Sequence, residues 1–114
     1  MAVRLFPSAL RAASMAALVG CALIRPHQFK LLNQASREVT AVRVEFGDAV
    51  LNKDRLGVGE AISFSPATDT DGGVVLSYEF DGQRVEHQLG YVAPPVATVC
   101  DIRIVGRNVD GGCR

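Results

Sequence analysis

Val74-Val75-Leu76-Ser77-Tyr78-Glu79-Phe80-Asp81-Gly82-Gln83-Arg84-Val85-Glu86-His87-Gln88-Leu89 is the stretch that decides the fold. Val74, Leu76, Tyr78 and Phe80 fall on one parity, and Val85, His87 and Leu89 fall on one parity beyond the turn. Side chains of a strand point alternately to opposite faces, so this pattern marks two half-buried strands. Asp81-Gly82 between them suits a two-residue turn with positive φ. The segment therefore predicts an antiparallel hairpin.

The same period continues on both sides. Val42-Arg43-Val44-Glu45-Phe46 puts its apolar residues on one face and its charges on the other. Cys100, Ile102 and Ile104 form another inward set, and Phe29/Leu31 and Ile62/Phe64 mark two further strands. Turn formers separate these runs: Gly47-Asp48, Gly57 and Gly59, Asp69 to Gly73, and Pro94-Pro95. No helical period interrupts them. Six to seven strands at intervals of about ten residues predict an all-β domain. The expected form is a small antiparallel β-sandwich, immunoglobulin-like, with a small β-barrel as the alternative.

The chain has 114 residues, with 12 Lys and Arg against 12 Asp and Glu. A balanced charge supplies no clustered basic surplus for phosphate, so no nucleic-acid partner is expected. The first 20 residues read differently from the rest. They hold Arg4 and Arg11 and no acid, and an uncharged stretch runs on from Ala12 to Ile24 before Arg25 and Pro26. As a helix it would span roughly 20 Å, short of a hydrocarbon core of about 30 Å. A basic start, a short apolar segment and small residues at its end predict an N-terminal signal helix that is removed. Residues 21–114 then carry ten bases against twelve acids, a formal charge of −2.

Leu18-Val19-Gly20-Cys21 resembles the lipobox of bacterial lipoproteins: an aliphatic residue, a small or aliphatic one, Gly or Ala, and Cys. All four positions fit. The resemblance implies a lipoprotein signal peptide over 1–20, cleavage before Cys21, and a diacylglyceryl group on its thiol, often with a further acyl chain on the new amino terminus. Two or three chains anchor stably where one is marginal. Ala22 after the Cys, in place of the Asp that retains such proteins at the inner membrane, implies the periplasmic face of the outer membrane. Ordinary signal cleavage after Ala22, giving a soluble periplasmic protein, is the alternative. The expected organisation is a lipidated tether over 21–27 and a β-sandwich domain over 28–114. Residues 38–46 (EVTAVRVEF), 61–66 (AISFSP), 76–83 (LSYEFDGQ) and 90–95 (GYVAPP) are together similar to small bacterial envelope lipoproteins with a β-sandwich domain. That likeness speaks to fold and location and adds nothing on mechanism.

Three cysteines leave one over in an oxidising compartment. Lipidation of Cys21 accounts for it and leaves Cys100 and Cys113. An extended chain can climb from Cys100, turn at Gly106 and descend to Cys113, and Gly111-Gly112 lets Cys113 reach bonding geometry. A disulfide between them is expected.

Little else points to chemistry. His87 sits on the inward parity between Val85 and Leu89, as a core or boundary histidine. His27 is placed in the tether. No His/Cys spacing suits zinc. Asp69-Thr70-Asp71-Gly72-Gly73 has the look of a calcium loop but carries Phe80 where the bidentate Glu belongs, and reads as a solvated hairpin loop. Gly57-Val58-Gly59 lacks the third Gly and the helix of a dinucleotide motif. Ser63, Ser65 and Ser77 are strand residues without a nucleophile elbow. No cofactor, metal or enzymatic activity is expected. Tyr91, Pro94 and Pro95 are the candidate binding surface, because an aromatic before two prolines can present a rigid, partly apolar face; the alternative is that Tyr91 caps one end of the core. Their expected contact is another envelope protein near the membrane. A periplasmic inhibitor or immunity protein, presenting Asp69–Gly73 or Tyr91–Pro95 to a hydrolase or toxin, is the other expectation.

Overall fold

The computed structural model describes residues 26–114. The signal segment 1–20, Cys21 and the tether as far as Arg25 lie outside the described residues. Eight strands make up the described chain: β1 (Gln28–Asn33), β2 (Val39–Phe46), β3 (Ala49–Leu56), β4 (Ala61–Phe64), β5 (Gly72–Phe80), β6 (Gln83–Val92), β7 (Val99–Val105) and β8 (Asn108–Cys113). They form two four-stranded sheets, ordered β4-β1-β7-β8 and β3-β2-β5-β6, packed as a sandwich that does not close into a barrel.

The hairpin reading of residues 74–89 holds in detail. Phe80 pairs with Gln83 across the turn, and both turn residues have positive φ, 55° at Asp81 and 78° at Gly82. The inward parity is met as well. Val74, Leu76 and Tyr78 are fully buried, as are Val44 and Phe46 of β2, and they face Phe29, Leu31, Ile102 and Ile104 of the other sheet.

Three features correct the sequence reading. The strand count is eight, not six to seven. The two missed strands are edges in which the apolar alternation is broken. β3 turns Lys53 toward the core side, opposite Val42, where alternation calls for a hydrophobe, and an inward charge is one way natural edges resist unwanted pairing. β8 has two adjacent glycines and only Val109 and Cys113 packed against the core. Second, the sandwich is not wholly antiparallel, since β1 runs parallel to β7. Third, the strand order departs from the immunoglobulin plan. There the first, second, fourth and fifth strands share one sheet, whereas here the chain changes sheets after β1 and returns for β4.

Two polar side chains secure the irregular backbone, one at a crossing between sheets and one at a bulge. Asn33, fully buried at the end of β1, donates through Nδ2 to the carbonyls of Leu56 (2.9 Å) and Arg37 (3.0 Å) and accepts at Oδ1 from Ala35 N–H (2.8 Å). One side chain thus satisfies the backbone of the β1–β2 loop and the end of β3. In β2 the ladder to β5 slips between Thr40 and Arg43, and Ala41 takes a left-handed φ of 49°. The Arg84 guanidinium closes over that bulge, donating to Ala41 O (3.1 Å) and Ser77 Oγ (2.9 Å).

Cys100 and Cys113 are direct partners in the β7–β8 ladder and are bonded as a disulfide. The bridge lies where β8 meets β6: a Cβ on Gly90 would stand 2.8 Å from Cys113 Cβ. Glycine there lets the two edge strands approach.

Candidate binding surface where the chain enters the fold

One end of the sandwich collects the features that sequence reading left unplaced. Pro26 and His27 enter there, next to the β2–β3 turn, the β4–β5 loop, the β6–β7 loop and Arg114. Arg114 and Val99 exchange two backbone hydrogen bonds, each 2.9 Å.

His27 is not tether. It is buried, its Nδ1 accepts from the Thr98 backbone N–H at 3.0 Å, and its ring lies 5.3 Å from that of Phe46. With Nδ1 accepting, the proton of the neutral ring is carried by Nε2. The next residue continues the contact, Gln28 N–H donating to Thr98 O at 3.0 Å. The chain is therefore clamped to the end of the β6–β7 loop as β1 begins.

The β4–β5 loop is fastened from the other side. The Asp48 carboxylate accepts from the hydroxyls of Thr68 and Thr70, and the Thr68 hydroxyl above all holds its pKa below the usual carboxylate value. Gly47 makes room for this: a Cβ there would stand 2.8 Å from Thr70 O. Asp69 to Gly73, expected as a hairpin loop, instead carries the chain from one sheet to the other. Asp69 and Asp71 remain exposed. Among the described residues no three His, Cys, Asp or Glu side chains converge to hold a metal ion.

Between these loops lies a cleft of about 470 Å³, walled by Pro26, His27, Pro66, Pro94 and Pro95, with Asp69 at its border. Four of the chain's five prolines thus line one cleft, from three separate points of the sequence. Their fixed φ makes the walls stiff, and they bring no backbone N–H of their own. A second cavity, about 380 Å³, lies between β1, β4 and β7, bordered by Lys30, Ser63 and Asp101; these are side chains of the polar outer face of that sheet.

The candidate residues separate. Pro94 and Pro95, joined by a cis peptide bond, line the cleft. Tyr91 does not. It pairs with Gly73 on the outer face of its sheet and is 62 % exposed, beside a fully buried Val92, so it does not cap the core. Val96, 67 % exposed, stands beyond the prolines. His87 is the expected boundary histidine, half-buried, with Nε2 3.0 Å from Arg107 O and its ring stacked on Tyr78. Cys21 is outside the described residues. Sequence reading missed His27 and Pro66 as wall residues. Proline is present at ordinary abundance, and no spacing rule turns Pro26, Pro66 and Pro94-Pro95 into a cluster.

No protein-family model and no curated protein matches the chain. Among solved structures it is similar to a protein from Eubacterium rectale determined by NMR, with a TM-score of 0.53 and 18% identity, over 78% of this chain and 86% of that one. At that identity the likeness shows the fold alone.

Proposed function

We propose that this protein is a lipid-anchored, non-enzymatic binding module of the bacterial envelope, held by Cys21 at the periplasmic face of the outer membrane. The observation that carries the reading is where the chain enters. Pro26, a wall of the proline cleft, follows Cys21 by five residues, a span of roughly 17 Å at full extension. An acylated Cys21 would hold the cleft, Pro94-Pro95 and the exposed Tyr91 close to the bilayer. The partner contacted there would be a membrane-embedded or membrane-apposed envelope protein. The disulfide between Cys100 and Cys113 supports export, because such bonds persist in oxidising compartments, and it accounts for the two cysteines other than Cys21.

The intact mass of protein from the membrane fraction tests this, beside a Cys21→Ala control. The expected result is loss of residues 1–20 plus a diacylglyceryl or triacyl mass, both absent from the control. An unmodified full-length chain overturns it.

The inhibitor or immunity reading draws on a different observation. Asp69–Gly73 and Tyr91–Pro95 both lie at this end, so one surface could enter an enzyme's active site. It suits a soluble periplasmic form, since an anchored one would place both loops toward the bilayer. Retention of an envelope-attacking hydrolase or toxin by the immobilised protein is its test, and failure to retain any removes it.

A further inference from the structure

We infer that the proline cleft is a docking site for an extended peptide segment of a partner protein, one that sets an apolar side chain beside a Lys or Arg. Three observations converge on that chemistry. The cleft is concave, about 470 Å³, the size for one or two side chains, and its proline walls are stiff before anything binds, which lowers the ordering cost of association. Its border carries a carboxylate and its walls are largely apolar: the exposed Asp69 borders it, and four of the lining residues are prolines without an N–H. A cationic side chain at the rim and an apolar one within match that distribution.

The third observation is the wall itself. Residues 65–69 belong to no helix, strand or turn, and their backbone groups take no part in the loop backbone bonds that tie down their neighbours. They continue the short edge strand β4, whose outer side has no strand beside it. An extended peptide laid along Ser65–Asp69 would take up those backbone groups as an added strand does, drop alternate side chains toward Pro66 and Pro95, and bring its cation to Asp69. The His27 ring stands among the walls of the same cleft. A bilayer is the less favoured occupant, because the apolar walls line a concave site with a carboxylate, Asp69, at its border.

This inference deepens the binding-module reading and rests on it, but not on the anchor, which intact mass decides separately. The test is titration of the full chain in detergent micelles with acetyl-Ala-Leu-Ala-Leu-Lys-Ala-amide, followed by amide and imidazole NMR shifts. Shifts confined to residues 65–69, 94–96 and His27 are expected. Asp69→Lys should weaken the Lys peptide about fivefold, the scale of one exposed ion pair, and the same peptide with Glu for Lys should recover on that variant. Equal affinity of both peptides for both proteins overturns the inference. So does binding that appears only once Leu23, Ile24 and Arg25 are replaced by Ser, which would make the chain's own segment the occupant. A response to phosphatidylethanolamine–phosphatidylglycerol vesicles at the same residues, with none to peptide, overturns it in favour of lipid.

Discussion

The Tyr78 hydroxyl donates to the Gly106 carbonyl at 2.8 Å, so one hydrogen bond joins an inner strand of one sheet to the β7–β8 turn of the other. The ring is fully buried, and burial raises the phenol's pKa from 10.0 to about 12. Tyr78→Phe keeps the packing and leaves the Gly106 carbonyl short of a donor. It should cost about 1–2 kcal/mol, read as a lower urea midpoint with an unchanged slope.

The raised pKa carries a sign. The unfolded chain releases this proton near pH 10 and the folded one only near pH 12, so high pH favours unfolding. The contribution is fully present below pH 10 and is lost as pH rises through about 12. Phenolate absorbance of a Tyr91→Phe variant, in which Tyr78 is the remaining tyrosine, should show a midpoint near 12. A midpoint near 10 would mean the hydroxyl is not held as described.

Asn33→Ala should be among the most damaging substitutions of a polar residue. It strips the carbonyls of Leu56 and Arg37 and the N–H of Ala35 of their side-chain partner. The expected loss is about 2–3 kcal/mol, the desolvation cost of buried groups left unpaired, measured by thermal or urea unfolding.

Ala41 is exposed, so substitutions there report backbone conformation and not packing. Its φ of 49° costs an L-residue roughly 1–2 kcal/mol, which glycine avoids for lack of a Cβ, though the greater freedom of its unfolded chain offsets part of the gain. Ala41→Gly should therefore raise stability by about 0.5 kcal/mol, and Ala41→Val should lower it by about 2 kcal/mol, because a β-branched residue tolerates this region worst.

Cys113→Ser opens the ring closed between Cys100 and Cys113, 13 residues apart. A loop of that size is worth on the order of 3 kcal/mol, a large share of what a domain this small possesses. Reduction of the wild type should lower its melting temperature to a similar degree, and reduction of the variant should change nothing.

The sequence by itself determined the β-class, the 74–89 hairpin with its turn, the inward parity of β1, β2, β5 and β7, and that Cys113 can reach Cys100. Each is local: alternation, a turn dipeptide, or the reach of one hairpin. β3 and β8 were illegible because edge strands are held by a single neighbour and need little apolar surface, so Lys53 and two glycines break the pattern without breaking the strand. Which sheet each strand joins, and the parallel pairing of β1 with β7, belonged to the tertiary structure, since alternation says which face is buried but not against what. The cleft was beyond reach for the same reason. Pro26, Pro66 and Pro94-Pro95 look like unrelated loop punctuation until two crossings between sheets bring them to one end, where His27, read as tether, becomes a wall.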